Sequence, residues 1–295
     1  MTELTRELIS SWLPNRPEDG HKGTFGKVLI VGGSVGFSGA PVLAAKAAVR
    51  GGTGLVFVGI PQSLWQVAAV KLDEAMPFPL PEDGEGKLDY PAMAPILRKL
   101  SGCDAGLIGP GLGQSGALDF LVTETLQNAV CPMVADADGL NALSRHMDRL
   151  SQIKTPLILT PHDGEYARLA GHLPGKDRVS EAAEFAQAHG CILVLKGHRT
   201  VIAAPDGETF VNTTGNHGMA KGGSGDVLSG LILSLLGQGM EPVKAAAAAV
   251  WIHGRAGDYV AAEKGHRGRT PSDLIERLPK VWRDDFHTYR VDGCA

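Results

Sequence analysis

Six short aliphatic and β-branched runs, none broken by polar alternation, constrain this chain more than any other feature: 27–32, 54–59, 105–109, 132–136, 156–160 and 191–196. A strand with one wet face alternates apolar and polar residues. A continuous apolar run belongs to a strand covered on both faces, as in a parallel sheet. Helical stretches lie between the runs, over 40–50, 90–100, 117–128, 164–170 and 179–189. That alternation predicts a doubly wound α/β fold. After Lys196 the pattern changes. Segments 200–204 and 208–211 bracket Pro205-Asp-Gly207 and predict a hairpin, followed by a glycine-rich loop over 215–225 and two long helices over 226–236 and 242–263. The alanine run 245–250 predicts a helix packed closely on the sheet, and the acidic, proline-rich stretch 77–86 a flexible surface loop. With no repeat and no linker, 295 residues are expected to form one domain over 1–295.

Composition narrows the function. The net charge is −4, against the basic face of a dedicated nucleic-acid binder, and 43% hydrophobic residues suffice for a core. Glycine numbers 39, about twice the usual ~7% share, which implies many tight turns and close backbone approaches to a ligand. Cys103, Cys131, Cys191 and Cys294 form no Cys-x-x-Cys pair, so neither a disulfide scaffold nor a structural zinc site is expected. Residues 1–15 lack the pattern of a signal peptide, and the longest apolar stretch, 245–252, is far short of the ~20 residues that cross a bilayer. The expectation is a cytoplasmic protein with neither a membrane nor a nucleic-acid partner.

The strongest local signal is Gly222-Gly-Ser-Gly-Asp226, directly before Val227-Leu-Ser-Gly-Leu-Ile-Leu-Ser-Leu-Leu236. Glycines let successive N–H groups turn toward one point, and a helix start adds unpaired donors and the positive end of its dipole. The result is an anion hole with a carboxylate beside it. Asp226 would repel a bare phosphate, so it reads as a base next to a transferring phosphoryl group; the plainer alternative is a residue complementing the dipole. A P-loop, Gly-x4-Gly-Lys-Ser/Thr, is absent. Gly111-Leu-Gly-Gln-Ser-Gly116 matches a dinucleotide fingerprint, with Asp136 where a ribose-binding acid would fall, although such strand–helix turns are common. Gly32-Gly-Ser-Val-Gly-Phe-Ser-Gly39 is another open turn at a strand's C-terminal end, so a long ligand or two ligands are expected there.

Six motifs in order then carry a family likeness: Gly36-Phe-Ser-Gly-Ala40, Gly109-Pro-Gly-Leu-Gly113, Asp136-Ala-Asp-Gly-Leu-Asn141, Thr160-Pro-His-Asp-Gly-Glu165, Lys196-Gly-His-Arg-Thr200 and Gly215-Asn-His-Gly-Met-Ala-Lys-Gly-Gly-Ser-Gly-Asp226. Together they strongly resemble the ADP- or ATP-dependent NAD(P)H-hydrate dehydratases of the ribokinase-like superfamily, over about 23–261. The resemblance implies a three-layer αβα fold with a mostly parallel central sheet. It also implies a lyase that phosphorylates the added ring hydroxyl of hydrated NADH or NADPH at the expense of ADP or ATP and then expels phosphate. On the matching positions it implies contacts to the hydrated dinucleotide from Ala40, Gly113, His162 and Asp226, the last being the base. Adenine-nucleotide contacts fall to Lys196, Gly197, His198, Arg199, Thr200 and Gly225. Mg2+ is expected to travel with the nucleotide phosphates, since no carboxylate cluster marks a dedicated metal site. A homo-oligomer is expected, as is a separate epimerase partner, because the dehydratase region begins near residue 23 with no fused epimerase ahead of it.

Plainer readings stand beside these. His162 could be a helix cap, Lys196 a strand end, and Asp136, Asp138 and Asn141 turn and capping residues, the reading kept for Asp138. Lys221 and His217 are given no role. The competing functions are a small-molecule kinase of the same superfamily acting on a vitamin precursor or sugar hydroxyl, and a non-catalytic nucleotide-binding module.

Overall fold

The structure, a computed structural model, describes residues 1–286; Cys294 lies outside them. Its elements begin with β1 (Thr2–Glu3), α1 (Arg6–Trp12), β2 (Lys27–Val31), α2 (Gly39–Arg50), β3 (Leu55–Pro61), α3 (Trp65–Lys71), β4 (Met76–Leu80), α4 (Met93–Leu100) and β5 (Ala105–Ile108). They continue with α5 (Gly116–Asn128), β6 (Met133–Ala135), α6 (Asp138–Ser144), β7 (Leu157–Leu159), α7 (Asp163–Ala170), α8 (Arg178–His189), β8 (Ile192–Leu195), β9 (Val201–Ala203) and β10 (Thr209–Val211). Three helices complete the described residues: α9 (Ser224–Gly237), α10 (Pro242–Lys264) and α11 (Pro271–Phe286).

One sheet runs β1-β10-β9-β8-β7-β6-β5-β2-β3-β4. From β4 through to β8 every pairing is parallel, and β9 and β10 are the antiparallel hairpin expected after Lys196. The apolar runs are explained by two cores. Val28 and Ile30 of β2, with Leu107 and Val134, face a core shared with α2, α9, α10 and α11. Leu29 and Val31, with Ile108 and Ala135, face the other, shared with α4, α5, α6, α7 and α8. Both faces of each central strand are therefore dry, which removes any reason for polar alternation. The outcome is a three-layer, mostly parallel α/β fold.

Two expectations are corrected. The stretch 77–86 is not all loop: Met76–Leu80 is the edge strand β4, with Pro77 opposite Val58 and Pro79 opposite Ile60. Proline can occupy an edge, where one side of the strand needs no donor. The helix over 90–100 opens as a 3-10 turn, Tyr90–Ala92, and becomes α-helical at Met93. Elements β1, α1, α3, α6 and α11 complete the fold beyond the predicted set.

Strand order reverses between β2 and β5. From β5 the chain steps one way through β6, β7 and β8, while β3 and β4 lie on the other side of β2. The crevice outside the strand ends at such a reversal is where open α/β sheets hold ligands. The turns that leave β2, β5, β6, β7 and β8 all open on this edge.

Candidate active site

The turn before α9 is shaped by Gly223, whose φ of +96° is closed to most side chains; an added Cβ would also meet Leu43 at 2.8 Å. No side chain caps the start of α9. Of its first-turn donors, Ser224 N–H is taken by the carbonyl of Lys221 (3.2 Å). The preceding loop is anchored on α10. Gly215 N–H donates to Asp258 Oδ2 (3.0 Å), Asn216 Nδ2 donates to Asp258 Oδ1 (2.8 Å), and the buried Arg269 donates to Gly257 O (2.8 Å) and to Asn216 Oδ1. Lys221 acquires a role here: its ammonium donates to the carbonyls of Arg267 (2.7 Å) and Arg269 (2.6 Å), tying the loop to the α10–α11 connection. His217 stacks on His266 with centroids 4.4 Å apart.

Beneath the turn, three strand ends assemble a charged cluster. Asp136 follows β6 and is buried; Lys196 follows β8 and places Nζ 3.1 Å from Asp136 Oδ1 and 3.5 Å from Glu165 Oε2. Thr160, after β7, donates its hydroxyl to Asp136 Oδ1 at 2.7 Å. Burial pushes the Asp136 carboxyl up, but the Lys196 ammonium and the Thr160 hydroxyl outweigh it and hold it below the ordinary aspartate range. Burial likewise pushes Lys196 down, and the charges of Asp136 and Glu165 outweigh that, keeping it protonated above the ordinary lysine range. The ribose-acid reading of Asp136 is thereby corrected: both of its charge-assisted contacts are internal. The backbone just past it is strained, Ala137 taking φ +51°.

Asp226 sits in the first turn of α9, half-buried, beside this cluster. A Cβ at the neighbouring Gly225 would lie 3.3 Å from Lys196 Nζ and 4.0 Å from Asp136 Oδ2, which places the glycine turn directly over the ion pair. Burial first, then the charge on Asp136, push the Asp226 carboxyl up to about 7, although Lys196 pulls the other way. A carboxyl so poised takes a proton near neutral pH where an ordinary aspartate would be too weak a base. His253 of α10, facing the α9 start through a backbone hydrogen bond at Ser224, is driven down to about 4 by burial and stays neutral.

The remaining predicted residues divide between two ends of the crevice. His162 is the helix cap of its plainer reading: Nδ1 accepts from the N–H groups of Gly164 (3.0 Å) and Glu165 (3.3 Å), while Glu165 Oε2 accepts from His162 N–H (2.8 Å). Its ring stays 56% exposed and therefore accessible to a ligand. Gly197, His198 and Arg199 form an exposed turn closed by Gly197 N–H donating to Thr200 Oγ1 (3.3 Å), with Arg199 at φ +59°. Arg178 braces that turn, donating to Lys196 O (3.0 Å) and Asp163 Oδ1 (2.7 Å). Ala40 and Gly113 lie at the other end. The Ser34 hydroxyl donates to Gly111 O (2.8 Å), joining the β2 and β5 turns; Gly113 N–H donates to Oδ2 of Asp138, the first residue of α6 (2.9 Å). Ala40 packs on Gly111, where a Cβ would be 3.2 Å from its own.

Sequence reasoning gave no role to Glu165, Thr160, Arg178, Arg269 or His253. Only Glu165 left a local signal, in the capping spacing His162-x-x-Glu165. Among the described residues no group of three or more His, Cys, Asp or Glu is arranged to hold a metal ion; Asp136 and Glu165 are already bridged by Lys196.

A parallel sheet carrying a glycine-lined helix start and a raised carboxyl at its C-terminal edge defines a ribokinase-like protein. A family model described as NAD(P)H-hydrate dehydratase matches residues 28–280, and the chain belongs to that family. It is 46% identical over 284 residues to a bifunctional NAD(P)H-hydrate repair enzyme of Moorella thermoacetica, a match covering 95% of this chain and 54% of that protein. The chain thus spans about half the length of the bifunctional relatives it matches. It is 35% identical to the ADP-dependent (S)-NAD(P)H-hydrate dehydratase of Bacillus subtilis, covering 95% of this chain and 97% of that one. The crystal structure of the ADP/ATP-dependent NAD(P)H-hydrate dehydratase from Bacillus subtilis, co-crystallized with ATP/Mg2+, superposes with a TM-score of 0.80 at 31% identity, covering 96% and 98% of the two chains. The family match runs beyond 261, where the motif likeness ends, into α11.

Proposed function

We propose that this chain, acting as a single domain, is a nucleotide-dependent lyase that restores hydrated NADH or NADPH, using ADP or ATP as phosphoryl donor. The observation that carries the reading is Asp226: a carboxyl raised to about 7, in the first turn of a helix whose glycine-lined start carries no side-chain cap.

In this reading the terminal phosphoryl group of the nucleotide lies against the turn 222–225 and the ring hydroxyl of the hydrate approaches it from the Asp226 side. As the hydroxyl oxygen bonds to phosphorus, Asp226 takes its proton, and the bond to the departing AMP (from ADP) or ADP (from ATP) breaks with its electron pair. Hydroxide is a poor leaving group and phosphate a good one. The ring nitrogen pushes its lone pair inward as phosphate leaves, and loss of a ring proton restores the double bond. Ala40 and Gly113 line the dinucleotide side at one end of the crevice, and the exposed ring of His162 reaches the dinucleotide from the other end, beside the turn 197–200. Gly197, His198, Arg199, Thr200 and Gly225 take the adenine nucleotide, with Lys196 acting from below as the charge that keeps Asp136 ionised. Mg2+ enters as the counter-ion of the nucleotide's phosphates; among the described residues no carboxylate cluster is arranged to hold it.

Among the described residues no helix is long and apolar enough to cross a membrane. A cytoplasmic setting, a homo-oligomeric assembly and a separate epimerase that supplies the reactive epimer belong to the same reading.

The test is to incubate purified protein with hydrated NADH or NADPH plus ADP or ATP and follow the absorbance of the reduced ring. Return of absorbance with release of free phosphate supports the lyase. A stable phosphorylated product would make the protein a kinase, and nucleotide binding without turnover a binding module.

A further inference from the structure

The loop 81–88 between β4 and α4 is built as a bracket. Asp83 Oδ1 accepts from the N–H groups of Glu85 (2.8 Å) and Lys87 (3.0 Å), Asp83 N–H donates to Lys87 O (2.8 Å), and Glu82 pairs with Leu88 in an isolated bridge. Val35 N–H donates to Gly86 O (3.2 Å), which fixes the bracket to the turn after β2. The bracket lays the Lys87 side chain on the turn after β5. A Cβ at Gly113 would be 3.6 Å from Lys87 Cδ and Cε and 3.4 Å from Ser34 Oγ. The stem is sheltered, the side chain being 25% exposed, and the ammonium emerges at the end of the crevice that holds Ala40 and Gly113.

Its partner is Glu85 Oε2 at 2.7 Å, on a side chain 76% exposed. Such a pair is well solvated and contributes little, so a stronger anion can displace the carboxylate. Four other cations at this edge are committed inward, Lys196 to Asp136 and Glu165, Arg178 to Asp163 and the Lys196 carbonyl, Lys221 to two carbonyls and Arg168 to Asn141, while Arg199 is exposed on the turn after β8, away from Gly113. A dinucleotide lying along Ala40 and Gly113 brings at least two negative charges to this end of the crevice, and Lys87 is the cation placed beside them.

We propose that Lys87 binds a phosphate oxygen of the dinucleotide substrate in exchange for Glu85, and so sets affinity for that substrate and not for the adenine nucleotide. The proposal rests on the dehydratase reading, which puts Gly113 on the dinucleotide side. The phosphate chemistry is shared by the pyrophosphate bridge of both hydrates and the additional phosphate of hydrated NADPH.

The experiment measures calorimetric Kd for NADH and NADPH, and KM for both hydrates and for ADP, in the wild type, Lys87→Ala, Lys87→Arg and Glu85→Gln. Lys87→Ala should raise Kd and hydrate KM about 10-fold, as expected for a lost charge-assisted hydrogen bond at a partly wet site. Lys87→Arg should restore most of it, and Glu85→Gln, which frees the ammonium, should tighten binding. The KM for ADP and kcat should stay unchanged. A loss with both dinucleotides assigns the pyrophosphate, and a loss with NADPH alone the additional phosphate. Unchanged affinity of Lys87→Ala for both ligands overturns the proposal, as does weaker binding by Glu85→Gln. Should the wild type regenerate neither NADH nor NADPH, the dehydratase reading fails, while the Kd series still decides whether Lys87 holds a dinucleotide phosphate.

Discussion

Lys196 Nζ stands 3.1 Å from Asp136 Oδ1, joining the ends of two strands that do not touch each other, β8 and β6, across the intervening β7. Asp136 is 1% exposed, so the pair is a nearly dry contact between residues 60 positions apart. The same ammonium reaches Glu165 and influences Asp226. One lysine thereby neutralises the floor of the crevice and tempers the carboxyl that hangs over it.

Lys196→Met leaves Asp136 buried with only neutral hydroxyl groups, those of Thr160 and Ser229, to satisfy it. Removing one partner of a buried pair costs about 3–5 kcal/mol, far more than the pair contributes net. The expected result is a lower midpoint in urea unfolding with an unchanged slope, and a partial recovery when Asp136→Asn is added. A single mutant as stable as the wild type would show that water reaches Asp136.

Asp226→Asn keeps the size and the helix position of the side chain and removes the proton acceptor. Turnover of hydrated NADH with ADP should fall by roughly 10²–10⁴-fold. Nucleotide affinity, read by calorimetry, should hold or rise slightly, since a negative charge near the phosphates has been removed. A near-normal rate rules out Asp226 as the base.

The strands were legible because burial on both faces leaves an unambiguous mark, the unbroken apolar run. Asp226 was legible because a glycine turn and a helix start adjoin it in sequence. The edge strand β4 was not, because Pro77 and Pro79 announce a loop everywhere except at a sheet edge. Helix α11 carries Pro279 in its interior, which works against a continuous helical reading. The union of Asp136, Glu165 and Lys196 was hidden for a different reason. It depends on sheet order, and no local pattern tells a strand-end lysine which carboxylates it will meet. Lys87 was hidden in the same way by the folding back of loop 81–88.

Activity should depend on pH through Asp226. With its carboxyl pushed up to about 7, kcat/KM for hydrated NADH should rise with pH through about 7 and level off above it. Stability should run the other way. The folded carboxyl holds its proton more tightly than the unfolded one at 3.8, so its contribution is fully present below about pH 4 and is lost as pH rises to about 7. Asp226→Asn escapes that loss. Its stability relative to the wild type should grow between about pH 4 and 7, reaching on the order of 2–4 kcal/mol after allowance for the partial exposure of the side chain, and stay constant above. Thermal melts across this range check it; a flat difference would mean that Asp226 titrates like an exposed aspartate.

Arg199 is exposed on the turn after β8 and holds φ +59°, a conformation that glycine adopts freely. Arg199→Ala should weaken ADP binding more than hydrate binding, because the proposed function sets the adenine nucleotide on this turn and a cation is lost from it. Arg199→Gly should show the same loss of affinity while relieving the backbone. Calorimetry with each ligand separates the effects, and equal losses for both ligands would remove Arg199 from the nucleotide side.

The start of α9 is only as well placed as its packing on α2. At Gly230 an added Cβ would lie 2.2 Å from Ala44 O and 2.8 Å from Ala44 C, backbone atoms that no rotamer change can move. Gly230→Ala must therefore push the helices apart or shift α9 along its axis. Overpacking of this kind costs about 1–3 kcal/mol, set against the ~1 kcal/mol by which alanine otherwise favours a helix interior over glycine. Because Asp226 lies one turn toward the N-terminus on the same helix, the displacement reaches the carboxyl and the glycine turn. Turnover should fall by a larger factor than nucleotide affinity, since a misplaced base harms the transition state more than the ground state. Unfolding midpoints and kcat measured on the same preparation decide the matter: a destabilised variant with full kcat would mean that the α9 start is held by the Asn216–Asp258–Arg269 anchors alone.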